Sequence, residues 1–337
     1  MPTRVAAIGV CHWHSLYDAA YLRHLSAMDD VEIVGIHDQD ASIAEHRTSE
    51  MGRAIPTFTD YGRMLSEVKP DFVLALGPHN TMAAVAHHLL DRRIPFIMEK
   101  PMSYNAKELR GVVEKADAVD GFAAVPLGNR YLPLIAKAKE WIEEGTYGPM
   151  THFYARMNRP SSTRYPAWGS GWMLDPEIAN GGCLRNLGSH GFDAFVNLTG
   201  EGEEIDVIGA QLSWAVHRQP VEDYASVLLM SRRGILGTIE IGNGFPRSGT
   251  DGEWKVAFRD AILTLKDGDL KLNTSDGEEL IPSEAPEIPG SQVVRETIDA
   301  AARGDKPPIS VHDCYRAVRL IDAAYIAAGN PYGAAEL

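Results

Sequence analysis

The stretch Arg4-Val5-Ala6-Ala7-Ile8-Gly9-Val10-Cys11-His12-Trp13-His14-Ser15 runs a short apolar segment into a glycine turn and on into a helical pattern over Ser15–Met28. Strand, glycine turn and helix in that order open a dinucleotide-binding unit. The glycine fingerprint itself is degraded. Gly9 supplies the tight turn, but Cys11 stands where a second glycine would let backbone approach a pyrophosphate, and His14 stands at the third position. Backbone N–H groups at the start of a helix attract an anion whatever side chains they carry, so cofactor contact is expected along Gly9, Cys11, His12, Trp13 and His14. Two imidazoles with no third ligand in view read as turn and packing residues, and no metal is expected at His12 and His14.

Outward from this turn the alternation repeats. Strands are expected at Val5–Gly9, Val31–His37, Phe72–Leu76, Phe96–Met98 and Gly121–Val125, with helical spacing at Ala41–Met51, Thr81–Arg92 and Ala106–Ala118. Short apolar runs alternating with helices make a parallel sheet covered on both faces, the doubly wound Rossmann form of an α/β fold. Asn105, followed three residues later by Glu108, resembles a capping box at the start of the last helix. Asp38, at the end of the second strand, is placed to accept hydrogen bonds from an adenosine ribose, and its charge opposes a 2′-phosphate, favouring NAD over NADP. The alternative is that Asp38 caps the next helix.

After Pro126 the texture changes. An amphipathic helix over Leu132–Glu144, with Ile135, Ala138, the Lys139 stem and Ile142 on one side, ends at Gly145. Strands follow at Thr151–Asn158, Val207–Val216, Tyr224–Met230, Leu236–Ile241, Lys255–Phe258 and Ala261–Leu265, with turns at Arg233-Gly234 and Asp267-Gly268. They predict a C-terminal α+β domain with a large, mostly antiparallel open sheet. One face of that sheet lacks helices to cover it, so self-association to a homodimer or homotetramer through the sheet is expected. A Pro/Glu-rich connector over Pro282–Gly290 precedes helices at Gln292–Arg303 and His312–Ala327. The expected division is residues 1–126 for the dinucleotide domain and 127–337 for substrate binding and oligomerisation, with the last helix available to pack back on the first domain.

The 337 residues, 45% apolar and 23% charged, have the composition of an ordinary two-domain globular chain. A net charge of −14 without any dense basic run excludes nucleic acid and anionic membrane surfaces as natural partners, leaving a small molecule. Cys11, Cys183 and Cys314 are too scattered for a disulfide framework or structural zinc site and suit a reducing compartment. The chain enters its first strand pattern at once and has no membrane-length apolar run, so a soluble cytoplasmic protein is expected.

Two further blocks are specific. Ile97-Met98-Glu99-Lys100-Pro101 closes the Phe96 strand, and Gly181-Gly182-Cys183-Leu184-Arg185-Asn186-Leu187-Gly188-Ser189-His190-Gly191-Phe192-Asp193 follows in the second half. Together, in this order and spacing, they resemble the Gfo/Idh/MocA oxidoreductases (glucose–fructose oxidoreductase, inositol dehydrogenase and rhizopine catabolism), over essentially the whole chain. The resemblance implies that Glu99 and Lys100 lie beside a nicotinamide cofactor, NAD with NADP as the variant. It implies that Lys100 hydrogen-bonds the substrate oxygen and that His190 takes the hydroxyl proton. Asn186 stands where the family commonly has Asp; it can hydrogen-bond the histidine but supplies no charge. Asp193, one turn after His190, contacts substrate or orients the helix. Gly77-Pro78-His79-Asn80, after the Phe72 strand, matches a family position near cofactor or substrate, with Asn80 alternatively a helix N-cap.

Arg159, Arg164, Tyr165, Trp168 and Trp172 lie in a Gly/Pro/Ser-rich stretch whose aromatic faces and hydrogen-bond donors suit a polyhydroxylated ring, or else packing against a neighbouring subunit. The implied activity is oxidation of a secondary alcohol of a sugar, polyol or related cyclic compound, or reduction of the ketone. A reductase of a non-carbohydrate substrate on the same fold, and a dinucleotide-binding sensor without turnover, are the alternatives.

Overall fold

Val5, Ala6, Ala7 and Ile8 are all buried, as a strand covered on both faces requires. A computed structural model describes residues 1–160, 162–200, 202–246, 248–283, 289–330 and 332. In chain order it begins β1 (Thr3–Ile8), α1 (Tyr21–Ser26), β2 (Val31–His37), α2 (Ala41–Met51), β3 (Thr57–Phe58), α3 (Tyr61–Val68) and β4 (Phe72–Ala75). Then come α4 (His79–Asp91), β5 (Phe96–Met98), α5 (Ala106–Val119), β6 (Ala123–Ala124), α6 (Pro133–Glu144), β7 (Met150–Asn158), α7 (Arg164–Ala167), α8 (Pro176–Ala179) and α9 (Cys183–Thr199). Strands β8 (Ile205–Ser213), β9 (Tyr224–Ser231), β10 (Leu236–Gly242), β11 (Asp251–Phe258), β12 (Ile262–Lys266), β13 (Asp269–Thr274) and β14 (Gly277–Ile281) precede α10 (Pro289–Arg303) and α11 (Val311–Ala327).

The chain forms two compact units. The first joins residues 1–126, 164–180 and 290–315; the second joins 127–163, 181–289 and 316–337. The change of texture after Pro126 coincides with the first boundary, and two later segments return to unit one. Most of the connector expected over 282–290 lies outside the described residues.

Unit one carries a six-stranded parallel sheet in the order β3-β2-β1-β4-β5-β6. Strand order reverses between β1 and β4, and the carboxyl ends on either side of such a reversal form the ligand crevice of doubly wound folds. The helix expected over Ser15–Met28 is a correction: a 3-10 turn covers Trp13–Ser15, and α1 has only six residues, Tyr21–Ser26. Asp18 and Ala20 adopt left-handed φ of 51° and 45°, which interrupts a helix. Trp13 meanwhile packs with Tyr165 and Met173 instead of continuing outward. Anion binding by a long helix N-terminus therefore does not carry over to this turn.

Unit two carries an eight-stranded sheet in the order β14-β13-β12-β11-β7-β10-β9-β8, antiparallel except for the β7–β10 pair. Alternation along β9 buries Ala225, Val227 and Leu229 in the core that holds Phe192 and Phe195 of α9. Leu228 and Met230 of β9, with Leu236 of β10 opposite Met230, stay exposed on the other face. The amino end of α9 is closed by Glu222, whose Oε2 accepts from Gly182 N at 2.8 Å and Oε1 from Leu184 N at 3.0 Å. Tyr325 donates its hydroxyl to the same Oε1 at 2.7 Å.

Gly182 has to be glycine for this closure: a Cβ there would sit 2.2 Å from the Glu222 carbonyl oxygen, whereas one at Gly171 would meet nothing. Gly182→Ala is expected to destabilise the protein by about 1–3 kcal/mol in urea unfolding, and Gly171→Ala to stay within about 0.5 kcal/mol of the wild type.

Candidate active site

The carboxyl ends of β1, β2, β4 and β5 bring the first group of expected residues together within unit one. Gly9 has φ of +72°, and a Cβ on it would lie 2.7 Å from Gly77 Cα, so the turns after β1 and β4 meet backbone to backbone. Cys11 N donates to Asp38 Oδ2 at 2.6 Å, and Asp40 N donates to Asp38 Oδ1 at 3.2 Å. The cap of α2 is Asp40, which accepts from Ser42 N at 2.9 Å. Asp38 is thus not the helix cap. Burial and the neighbouring Asp38 push the Cys11 thiol up, so it stays protonated. At the β4 end, α4 starts at His79 with Pro78 as N-cap, and Asn80 lies exposed in its first turn.

A glycine-only turn on β1, a carboxylate after β2 and a charged pair after β5, all at one sheet edge with the order reversed between β1 and β4, suit a dinucleotide. Cys11 and the interrupted helix are the departures from that pattern.

Glu99 and Lys100 follow β5, and both are buried, at 1% exposure each. Glu99 Oε1 accepts from His14 Nδ1 at 2.9 Å and from Tyr21 OH at 3.1 Å, while Oε2 accepts from Lys100 N at 3.1 Å. Burial opposes ionisation of Glu99, but attraction to His14 and Lys100 outweighs it and holds the carboxyl well below the usual range. Lys100 Nζ lies 5.7 Å from the centroid of the Trp13 ring. His12, stacked on Trp13 at 4.0 Å, accepts from His14 N through Nδ1 at 3.1 Å. Burial lowers the His12 pKa strongly, leaving a neutral ring.

The segment 164–180 spends its aromatic faces on its own unit. Tyr165 meets Trp13 at 4.9 Å, Trp172 meets His79 at 5.1 Å and His12 at 5.8 Å, and Trp168 stacks on Tyr17 at 5.3 Å with the Arg164 guanidinium 4.9 Å from its ring. His79 Nδ1 donates to Ala179 O at 2.8 Å. In unit two, Asn186, His190 and Asp193 share α9, with Asn186 fully buried. Asp193 accepts from Arg130, at 2.8 Å from Nε and 2.5 Å from Nη2. Arg159 follows β7, its N–H on Gly242 O at 2.8 Å.

Three residues at the crevice edge carried no sequence signal. Arg47 is buried and bonds Val10 O at 3.2 Å, Tyr17 OH at 3.2 Å and Trp168 O at 2.5 Å. Ser170 donates to Cys11 O at 2.6 Å, and Tyr21 serves Glu99. A lone arginine or serine in polar surroundings has no spacing that betrays such a role.

Glu99→Gln removes the counter-charge of a buried lysine and is expected to cost about 3 kcal/mol near neutral pH. The folded carboxyl titrates below its ordinary value of 4.5, so its stabilisation is complete above that value and is lost as pH falls beneath it. The gap in urea-unfolding stability between wild type and Glu99→Gln should therefore hold above about pH 5 and narrow steadily below about pH 4.5, closing only where the folded carboxyl itself protonates.

Comparison with known proteins agrees with this geometry. Residues 3–125 match the oxidoreductase family model with an NAD-binding Rossmann fold, and residues 135–260 match the GFO/IDH/MocA C-terminal domain. The rhizopine catabolism protein MocA of Rhizobium meliloti is 24% identical over 238 residues, covering 70% of this chain and 71% of that protein. Myo-inositol 2-dehydrogenase of Thermotoga maritima is 23% identical over 227 residues, covering 65% and 64%. The crystal structure of an inositol dehydrogenase homolog from Azotobacter vinelandii, complexed with NADH and myo-inositol, superposes with a TM-score of 0.80 at 18% identity, covering 98% of this chain and 96% of that one. At that identity the superposition speaks for the fold. Among the described residues no helix is long and apolar enough to cross a membrane. With both family models matched in order along the chain, this protein belongs to the GFO/IDH/MocA oxidoreductase family, whose Rossmann domain binds NAD.

Proposed function

We propose that the protein is a dehydrogenase that oxidises a secondary alcohol of a sugar, polyol or related cyclic compound, or reduces the corresponding ketone. The observation that carries this reading is the buried Glu99-Lys100 pair at the carboxyl end of β5. NAD, when bound, supplies the hydride acceptor at the nicotinamide ring. Lys100 hydrogen-bonds the substrate oxygen and favours the negative charge that gathers there as the carbon is oxidised. Glu99, kept ionised, offsets the cost of holding an ammonium out of water. His190 takes the hydroxyl proton, and Asn186, one turn away, offers a hydrogen bond without a charge. The names of two similar proteins, each carrying inositol, direct the first assays toward cyclic polyols.

A panel of myo-inositol, other cyclic polyols and aldoses, with NAD+ and NADP+ separately, should give turnover of at least one member, faster with NAD+. Lys100→Met and His190→Ala should each lower kcat by about 100-fold or more, with NADH affinity changed by less than about threefold. Unchanged rates in both variants would remove the mechanism. Cofactor-dependent thermal stabilisation without turnover of any sugar, polyol or ketone would replace it with a binding protein.

The exposed row Leu228, Met230 and Leu236 supports self-association through the unit-two sheet. Light scattering should give the mass of a dimer or tetramer, and Leu228→Asp with Met230→Asp should shift it toward the monomer. A monomeric wild type would discard this assembly.

A further inference from the structure

His12, His14 and Glu99 each offer a ligand atom, and these atoms all lie within 4.8 Å of one another. Glu99 comes from 85 residues beyond His14, so the third member of the set is absent from any local stretch of sequence. His12 is fully buried, and its Nε2 has no hydrogen-bond partner. A buried ring nitrogen in that state is costly unless something answers it. The separation of 2.9 Å between His14 Nδ1 and Glu99 Oε1 suits a hydrogen bond and is also close to the spacing of two atoms sharing one small cation.

We propose that His12, His14 and Glu99 form a binding site for a divalent transition-metal ion, zinc before others. Two imidazoles and one carboxylate are a nitrogen-rich set that suits zinc, cobalt or nickel; magnesium and calcium prefer oxygen ligands throughout. Three protein ligands leave a position of the tetrahedron for water or another ligand. In this chain the helix that ordinarily follows the first glycine turn is interrupted, and a cation clipping His12 and His14 to the end of β5 fixes that turn in its place.

Two features set the strength of the site. His12 Nδ1 accepts from His14 N at 3.1 Å, so the empty site carries the His12 ring proton on Nε2. Loading at Nε2 moves that proton to Nδ1 and breaks this bond, which disturbs the ring stacked on Trp13 at 4.0 Å, and the His14 ring proton now given to Glu99 must likewise move from Nδ1 to Nε2. Lys100 also places its ammonium nitrogen 5.7 Å from the Trp13 ring, close enough to the cluster to repel a cation. The site is therefore weaker than a structural zinc centre, and removing the ammonium strengthens it.

The test needs no substrate and does not depend on the dehydrogenase reading. Tag-free full-length protein, stripped with a chelator, is titrated with Zn(II) by calorimetry and with Co(II) by visible absorption and tryptophan fluorescence. One equivalent should bind, with tetrahedral Co(II) bands and a fluorescence change. His12→Asn and Glu99→Gln should each weaken binding by about tenfold or more, while Lys100→Met should tighten it by about tenfold. The gain in Lys100→Met is a result that a misfolded variant cannot mimic. Absence of saturable binding by the wild type overturns the proposal. So does binding that survives both ligand variants, which would belong to surface pairs such as His312–Asp117, and so does a Lys100→Met variant that binds no more tightly.

Discussion

The buried carboxylate of Glu99 is the constraint on which the crevice edge of unit one depends. An ionised group out of water is tolerated only if donors or cations surround it, and here the Tyr21 hydroxyl, the His14 ring and the Lys100 backbone N–H all point at it. Meeting that demand fixes the course of the chain. The turn after β1 must present His14 inward, α1 must begin at Tyr21, and β5 must end where Glu99 and Lys100 are delivered together.

Unit two contains a second fully buried carboxylate, and the contrast is instructive. Burial dominates at Glu222 and raises its pKa, because the neighbours that offset the shift, Tyr325 and the N–H groups of Gly182 and Leu184, are neutral donors. Glu99 shifts the opposite way because its surroundings include positive charge. The same side chain thus serves as a helix-end acceptor in one unit and as the counter-charge of a lysine in the other. Environment, not residue type, decides which.

The parallel sheet was legible because each of its main strands is a short apolar run bounded by a helical period, and β1, β2, β4 and β5 were placed to within a residue or two. The two-residue β3 and the half-polar α3 left no such trace, and β13 and β14 lay hidden in a charged stretch around Asp267-Gly268. The interruption before α1 was invisible for a different reason: apolar spacing over Ser15–Met28 fits a helix, and what competes with one is the packing of Trp13 on Tyr165 and Met173, far along the chain. At the sheet edge, the local motifs led to Gly9, Asp38, Glu99 and Lys100, which do follow β1, β2 and β5, since strand ends announce themselves. They could not find the joining of His14 to Glu99, the guanidinium of Arg47, or the capture of Asp193 by Arg130. Each of those is a long-range pairing of residues that look ordinary alone.

Unit one is assembled from three separated stretches, and this has a consequence for the order in which the chain acquires its structure during synthesis. When residue 126 leaves the ribosome, Arg47 has no Trp168 carbonyl to bond and the Cys11 carbonyl has no Ser170; these arrive with residues 164–180. The last segment, residues 290–315, brings Arg295 to Asp30 at 2.8 Å and Ile309 to the end of the sheet beside Val125. Synthesis must therefore pass residue 315 before the cofactor domain is complete. Unlike a Rossmann module encoded in one continuous run, it cannot finish folding ahead of the sequence that follows it.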